Sequence, residues 1–167
     1  MPVSWKPVRV RPVVPEDLPV LLELGDELGR PSGRAGASQR FAEAIADPER
    51  HLVLAVTEGD DGEELALGMA LFTIGTANPL LDNPAVHITH SVVSHRHRKR
   101  GAGKAMVAAA AAFAEERGID QLLISVHPAS REAARFYARL GFAPLAVRRT
   151  APVSLVRRRL AASRLRR

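Results

Sequence analysis

The hydrophobic positions of this chain follow two different periods, which predict strands and helices in alternation. Alternating or β-branched apolar runs predict strands at Val8–Val13, His51–Glu58, Leu65–Ile74, Val86–Val93, Gln121–Val126, Ala143–Arg149 and Val153–Arg159. Helical spacing predicts a helix from Pro15 with Leu18, Leu21, Leu22, Leu24 and Leu28, a second capped by Ser38 with Phe41, Ala44 and Ile45, then Lys104–Arg117 and Ser130–Leu140. Polar and glycine-rich segments predict a turn at 59–62 and loops at Gly29–Ala37 and Gly75–Pro84.

The order of these elements is β-α-α-β-β-β-α-β-α-β-β, with hairpins in the first half and crossover helices in the second. This order predicts an α/β fold with a mixed, mostly antiparallel sheet of about six to seven strands and helices on both faces. Neither an internal repeat nor a linker is visible. We therefore expect one domain over residues 1–160, followed by a basic tail at 161–167 that is frayed from about Leu160 onward.

The composition fits a single folded domain and excludes several classes of site. The chain has 167 residues, of which 46% are hydrophobic, so it can bury a full core. It has no cysteine, which excludes disulfides and a cysteine nucleophile and is compatible with the cytoplasm. The N-terminus lacks the apolar core of a signal peptide, and the longest apolar run, near Ala105–Ala114, is too short to span a membrane. We expect a cytoplasmic protein without a membrane partner.

The basic character of the chain comes from its end. The net charge is +6, and the last eleven residues carry six arginines and no acid. An interpretation as a nucleic-acid-binding protein therefore rests mostly on this tail and on the basic segment 94–100. With five Phe, one Trp and one Tyr, the chain offers few aromatic rings for stacking bases, so we do not expect nucleic acid as the partner.

The segment from Val86 to Gly118 joins a strand, a basic turn and an Ala-rich helix. The turn carries Arg98, Gly101 and Gly103 directly before the helix. The first amides of a helix have no partner inside it, and the helix dipole favours an anion at that end. Positive side chains there oppose the dipole, so they are a poor choice for stability alone. This arrangement predicts a site for phosphate groups.

The spacing Arg98-x-x-Gly101-x-Gly103 resembles the Arg/Gln-x-x-Gly-x-Gly/Ala motif of the GCN5-related N-acetyltransferase (GNAT) superfamily. A second segment, Ser130–Phe142, looks like the family's Asn-x-x-Ala-x-x-Phe/Leu-Tyr-x-x-x-Gly-Phe motif, with Ser130 in place of the frequent Asn. Arg11–Leu18, Arg-Pro-x-x-Pro-Glu-Asp-Leu, is similar to a common opening of the family. The resemblance covers most of the chain and implies the acyl-CoA N-acyltransferase fold.

The resemblance implies that acetyl-coenzyme A is the cosubstrate and that no metal is needed. The strand end would pair through its backbone with the pantetheine amides, the basic turn would hold the pyrophosphate, and the second motif would meet the cofactor arm. The implied binding residues are Val92, Val93, Ser94, Arg98, Lys99, Arg100, Gly101, Ala102, Gly103, Lys104, Ser130, Ala133 and Phe136. Direct attack in a ternary complex follows, because the chain has no cysteine for an acetyl-enzyme.

Two residues match catalytic positions of the family. Tyr137 is the only tyrosine and stands where the family places the general acid that protonates the coenzyme A thiolate. Packing in the core is the alternative role for this ring. His87 stands where many members carry the base, with Thr89 on the same strand face and His90 on the other. His87 as an ordinary polar residue of the sheet surface is equally open.

Three alternatives differ in class. A non-catalytic acyl-coenzyme A-binding or regulatory module of the same fold would show no turnover of any amine. A nucleic-acid-binding protein would show a steep salt dependence. A metal site would use the histidines at 87, 90, 95 and 97, but their spacing fits no common zinc pattern. The acceptor is expected to be a small-molecule or peptide amine whose identity the sequence does not specify, and a homodimer is compatible with the sequence without being indicated by it.

Overall fold

The computed structural model describes residues 6–27, 34–78, 80–146 and 148–164. The chain forms two compact units, Met1–Ser125 and Val126–Arg167. In the described residues, the first unit contains the whole sheet and three α-helices, and the second contains two α-helices.

One mixed sheet organises the first unit. Its strands are β1 (Arg9–Pro12), β2 (Arg50–Glu58), β3 (Glu64–Asn78), β4 (Asn83–Val93) and β5 (Leu122–Ile124), and they lie in chain order. All neighbouring pairs are antiparallel except β4 and β5, which run parallel. The predicted fold class is confirmed, although the described residues form five strands rather than six or seven.

Helices cover both faces of this sheet. A short 3-10 turn (Pro15–Asp17) leads into α1 (Leu18–Asp26), α2 follows at Arg34–Ala46, and α3 (Ala102–Glu115) connects β4 to β5. Leu52 and Leu54 of β2 join the core cluster that contains Leu21 and Leu24 of α1. The preceding residue, His51, stacks instead on Phe113 of α3, with ring centroids 4.7 Å apart. Because successive strand residues point to opposite faces, α1 and α3 lie on opposite sides of the sheet.

The α3 helix lies close to the sheet because its buried stripe consists mostly of alanine. The buried positions recur every four residues, at Ala102, Met106, Ala110 and Ala114. This spacing places them on one helix face. The helix begins two residues before the predicted start, and Gly118 follows its end with a left-handed φ of 66°, as expected for a stop signal.

The predicted loop Gly75–Pro84 is wrong for most of its length. β3 continues to Asn78 and β4 begins at Asn83, with Gly75 paired to Ala85 in the ladder. A Cβ on Gly75 would lie 3.0 Å from Nε2 of His87, so the glycine leaves room for that ring. A glycine inside a strand often marks such a close approach, which the sequence alone shows only as a turn signal.

The predicted loop Gly29–Ala37 and the predicted cap at Ser38 also need correction. Residues 28–33, and Leu28 of the predicted apolar stripe with them, lie outside the described residues. α2 already begins at Arg34, so 34–37 are helical and Ser38 lies inside the helix rather than at its N-cap. Phe41 and Ile45 pack against the core cluster as their spacing predicted.

The second unit contains α4 (Arg131–Arg139) and α5 (Val153–Arg164). The predicted helix at Ser130–Leu140 is α4. Ser130 is its N-cap residue, and its Oγ accepts a hydrogen bond from the Ala133 N–H at 3.4 Å. The two predicted final strands are wrong. Of Ala143–Arg149 the described residues form no strand, and Val153–Arg159 belongs to α5.

α5 forms because its residues favour a helix more than a strand. Leu, Arg and Ala dominate it, and all three are strong helix formers. The N–H groups of Leu155 and Val156 donate to the carbonyl of Pro152 at 3.0 and 3.1 Å, which starts the first turn. The prediction of a tail frayed from Leu160 is therefore wrong as far as Arg164, and 165–167 lie outside the described residues.

A network of ion pairs links β1 and the 3-10 turn at 15–17 to the start of β3. Nη1 and Nη2 of Arg11 donate to the two carboxylate oxygens of Asp17 at 2.7 and 2.8 Å. Nε of Arg11 also donates to Oε1 of Glu64, at 3.0 Å. The Val14 N–H donates to Asp17 at 2.9 Å. These bonds join β1, the 3-10 turn and the start of β3, and the Arg11 hydrogen bond lowers the pKa of Asp17 below its usual 3.8.

We predict that Asp17→Asn lowers the free energy of unfolding by about 1–3 kcal/mol, the usual range for losing hydrogen bonds to a charged group. Asp17 stabilises the fold fully above its unfolded pKa of 3.8, and this contribution is lost as the pH falls through the lower folded pKa. Urea unfolding at neutral pH and near pH 3 measures both effects. The exposed neighbour Glu16→Gln is the control, and equal stability of both variants at neutral pH would contradict the prediction.

Candidate active site

A β-bulge interrupts the ladder between β3 and β4 just before the end of β4. Met69 pairs with Val92 and Leu71 pairs with Thr89, so the single residue Ala70 faces both His90 and Ser91. His90 has a left-handed φ of 49°, which is uncommon for a residue other than glycine. Bulges bend a strand and redirect its side chains, and they occur often beside active sites.

β4 loses its parallel neighbour at the same level. β5 pairs with Val86, His87 and Ile88 only, and the strand ends at Ile124. From Thr89 onward, no described strand pairs with β4 on the side that β5 occupies earlier. The backbone of Val92 and Val93 therefore lies in a strand segment whose ladder runs on one side, which is where a peptide-like ligand can add hydrogen bonds.

Gly68 of β3 permits the bulge. A Cβ at this position would lie 2.5 Å from the Val92 carbonyl oxygen and 3.2 Å from the Val93 Cα. The preceding residue, Leu67, is skipped in the ladder with β2, and its carbonyl accepts a hydrogen bond from the Ser94 N–H at 2.8 Å. Ser94 is buried as a result. A side chain at position 68 would therefore clash with the backbone at the end of β4.

A tight basic loop follows the strand. A 3-10 turn (His95–His97) leads to Arg98, and then Lys99 and Gly101 both adopt left-handed backbone angles, with φ of 62° and 89°. For Lys99 this conformation carries steric strain of about 1 kcal/mol or more. Strain of this kind persists where the surrounding fold imposes it, and it clusters at ligand sites.

The loop delivers the uncapped start of α3. Gly101 is the N-cap residue, and no described side chain caps this end. The first intrahelical bond runs from the Ala105 N–H to the Gly101 carbonyl at 2.9 Å. The N–H groups of Ala102, Gly103 and Lys104 precede that bond, so they have no partner within the helix. They follow directly after the basic residues Arg98, Lys99 and Arg100 in the chain.

The surroundings of His97, one of the two histidines in this loop, favour its neutral form. The pKa of His97 is lowered, chiefly because burial disfavours its charged form and also because Arg100 and Arg96 lie nearby. A neutral His97 leaves the positive charge of the loop on its arginines and lysines, most of which are exposed. Arg98 and Lys99 are among the exposed cations.

His87 lies on β4, three residues before His90 of the bulge. It pairs with Thr73 on β3 and Leu123 on β5, and its ring lies over Gly75. Val86 and Ile88 are buried, whereas His87 and Thr89 are half-buried and share the opposite face. That face is the one covered by α1, because Leu71, the partner of Thr89, packs against the α1 cluster.

The second unit carries the other predicted residues. Ala133, Phe136, Tyr137 and Leu140 form the half-buried stripe of α4, while the intervening residues are exposed. The Tyr137 ring makes edge contacts with Phe136 and Phe142, with centroids 5.0 and 5.6 Å apart. The Phe142 N–H closes the helix end on the Tyr137 carbonyl at 3.1 Å. These contacts fix the orientation of the ring within the unit.

The sequence itself matches a family model over residues 20–142, which is described as the Acetyltransferase (GNAT) family. The chain belongs to the GNAT acetyltransferase family.

Individual GNAT relatives are more distant. Mouse N-acetyltransferase family 8 member 3 is 34% identical over 65 residues, which is 39% of this chain and 29% of the mouse protein. The aligned region thus spans less than a third of this curated relative.

Solved GNAT structures share the fold across most of the chain. The aminoglycoside 6'-N-acetyltransferase AAC(6')-Ih of Acinetobacter baumannii has a TM-score of 0.70 and 16% identity, and the match covers 88% of this chain and 99% of that one. AAC(6')-Iy, solved with a bisubstrate analogue built on coenzyme A, has a TM-score of 0.72 and 18% identity, with 87% and 99% covered. At these identities the similarity concerns the fold.

Three features of the GNAT chain had no clear signal in the sequence. The bulge at His90 and the left-handed Lys99 occur at residues that give no turn signal, and Gly68 stands inside an apolar run. An isolated glycine within a predicted strand was the one available hint of a bulge.

Within the described residues, no helix has the length and apolar character to cross a membrane, and no three histidines or acids cluster as metal ligands would.

We predict that Gly68→Ala lowers the free energy of unfolding by about 1–3 kcal/mol, the usual effect of forcing an extra carbon into a packed site. The clash is with backbone, so it displaces Val92 and Val93 rather than a flexible side chain. Thermal unfolding measures the change. Gly25→Ala, inside α1 and 3.4 Å from the Phe41 ring, is the matched control and should leave stability equal or improved. A variant at Gly68 as stable as this control would contradict the prediction.

Proposed function

We propose that this protein is an N-acetyltransferase that transfers acetyl from acetyl-coenzyme A directly to an amine. The observation that carries the proposal is the continuous course of the chain from the bulged end of β4, through the strained basic loop, to the uncapped start of α3. The backbone at the end of β4 can pair with the amides of the pantetheine arm, and the first amides of α3 can bind the pyrophosphate. Family membership supports the same ligand.

The phosphate-binding part uses backbone more than side chains. In this proposal the N–H groups of Gly101, Ala102, Gly103 and Lys104 bind the pyrophosphate, and Arg98, Lys99 and Arg100 add attraction to its charge. The fit is good because these amides face no described cap and Gly101 has nothing within 4 Å of the place where a Cβ would stand. Val92, Val93 and Ser94 meet the pantetheine amides, although the Ser94 N–H is already bonded to Leu67.

The second unit contributes the remaining residues. Ala133 and Phe136 give an apolar surface for the cofactor arm. Ser130 replaces the family's frequent Asn, and its hydroxyl oxygen caps α4. In this proposal Ser130 therefore supports the start of α4 and reaches the cofactor less than an Asn would. We also propose that residues 1–160 make up the catalytic domain and 161–167 a basic tail.

The chemistry requires two proton movements. The amine nitrogen attacks the thioester carbonyl carbon, the C–S bond breaks, and the nitrogen loses a proton while the thiolate gains one. We assign the first proton to His87, directly or through water, because it lies on the α1 face of β4 close to the bulge. We assign the second to the Tyr137 hydroxyl, which can donate at neutral pH. Positioning of the two substrates supplies much of the rate.

The acceptor belongs to a broad class. A relative of the same fold acts on aminoglycoside antibiotics, and another binds an analogue that joins coenzyme A to acetylneamine. We propose a small-molecule amine on this analogy. The test is a screen of amines, including aminoglycosides, amino sugars, polyamines and peptide N-termini, for thiol release from acetyl-coenzyme A. Coenzyme A binding without turnover of any amine would favour the non-catalytic module instead.

We predict that Gly103→Val weakens coenzyme A binding by at least about tenfold without unfolding the protein, because the side chain enters the space that backbone amides need for a phosphate. Calorimetric titration with coenzyme A measures this. Ala108→Val, at an exposed position of the same helix, introduces the same β-branched side chain away from the loop and should bind normally. Unchanged affinity in a folded Gly103→Val protein would remove the basis of the proposed function.

We predict that Tyr137→Phe lowers kcat by roughly tenfold to a hundredfold with little change in coenzyme A affinity, because general acid catalysis is typically worth about 10²–10⁴-fold and the thiolate is a good leaving group. The ring and its contacts with Phe136 and Phe142 remain. Steady-state rates and calorimetry measure the two effects, with Phe142→Leu, which alters the packing around the same ring, as the control. A full-rate variant would mean that solvent protonates the thiolate, and a parallel loss of binding would assign Tyr137 to the pocket.

A further inference from the structure

The last residue of the described α1 segment contacts the phosphate-binding loop. Oε2 of Glu27 accepts a hydrogen bond from the backbone N–H of His95 at 2.8 Å, across 68 positions of sequence. The same oxygen lies 3.9 Å from Nε2 of His95. The Glu27 side chain is 24% exposed, so the contact is only partly open to solvent.

We propose that Glu27 is a positioning residue that holds the start of the phosphate-binding loop in its ligand-ready conformation. The proposal rests on the proposed function in one respect, namely that the loop binds coenzyme A phosphates. Glu27 acts through the His95 backbone rather than on the ligand.

The hydrogen bonds of successive amides show how this anchoring works. The Ser94 N–H is tied to Leu67 of β3 at 2.8 Å, and the His97 N–H closes the 3-10 turn on the Ser94 carbonyl at 3.0 Å. The His95 N–H points to α1 instead and is satisfied by Glu27. The turn is therefore fixed to β3 on one side and to α1 on the other, two residues before the strained Lys99. Strained backbone persists only where neighbouring contacts over-determine it.

The negative charge of Glu27 and its hydrogen bond to His95 have opposite expected effects on coenzyme A binding. A carboxylate near a site for phosphates repels the ligand, so its charge alone would weaken binding. Its hydrogen bond to the loop should strengthen binding instead. The bond restricts the free loop to fewer conformations, so less conformational entropy is lost when the ligand binds. The two effects make opposite predictions for substitutions that separate charge from hydrogen bonding.

The experiment compares Glu27→Ala with Glu27→Gln. Glutamine keeps an oxygen that can accept from His95 and loses the charge, whereas alanine loses both. We expect the coenzyme A dissociation constant, measured by calorimetry, to rise about tenfold in Glu27→Ala, which matches the usual worth of a hydrogen bond to a charged group, and to stay equal or fall in Glu27→Gln. Glu23→Ala and Glu23→Gln, at an exposed position one turn earlier in α1, make the same charge changes and should leave affinity unchanged within about twofold.

Amide hydrogen exchange of the free protein gives a readout that does not depend on the ligand. We expect faster exchange at His95–Arg98 in Glu27→Ala, near-normal exchange in Glu27→Gln, and unchanged exchange in β2 and β3 of both variants. Tighter binding by both variants would show that charge dominates, and equal weakening of both would show that the carboxylate itself is needed. Either result overturns the proposal, as does normal exchange in Glu27→Ala.

Failure of the inference and failure of the proposed function give different results. If the unaltered protein does not bind coenzyme A, the proposed function fails, while the exchange measurement still decides whether Glu27 anchors the turn. If the unaltered protein binds and Glu27→Ala binds equally well, the function stands and the positioning role is wrong.

Discussion

The ladder between β3 and β4 is the constraint on which the rest of the structure depends. It pairs the two strands from Gly68 to Asn78 and from Asn83 to Val93, and it contains the bulge at His90. Gly68 lets the strands approach at that point, and the Ser94 N–H then bonds to the Leu67 carbonyl. This bond fixes the end of β4 against β3. The end of β4 in turn determines where the basic loop begins and in which direction the unbonded amides of α3 point. The proposed site for an extended ligand thus depends on one irregular strand pair.

The loop itself combines features that do not favour stability. Cationic side chains stand at the positive end of a helix, Lys99 adopts a left-handed conformation, and the first amides of α3 have no described cap. Contacts from outside the loop compensate for these costs, with β3 holding Ser94 and α1 holding His95. An anion bound at the helix start would satisfy the amides and reduce the repulsion among the cations. The features that weaken the free protein here are those that the proposed polyphosphate ligand would reverse.

The signals for the candidate site could be found in the sequence because they are local. The spacing of Arg98, Gly101 and Gly103 and the stripe of Ala133, Phe136 and Tyr137 each lie within one element or one loop. The conformation of the loop also depends on the distant residues Leu67 and Glu27. The errors occurred where a local signal competes with tertiary pairing. Gly75 and Pro84 read as a loop, yet strand pairing satisfies their backbone and extends both strands. Val153 and Val156 read as strand residues, although their neighbours favour a helix.

The sequence by itself determined the five strands of the sheet, α3, the spacing of the basic loop and the family, because period, glycine spacing and helix propensity depend on residues a few positions apart. Only the tertiary structure decided the bulge at His90, the close approach at Gly68 and the contact of Glu27 with His95. Register and cross-element hydrogen bonds join residues tens of positions apart, and many pairings share the same local pattern. Packing of α1 and α3 on the two faces of the sheet selects one of these pairings. The selection depends on several segments together and cannot be read from any one of them.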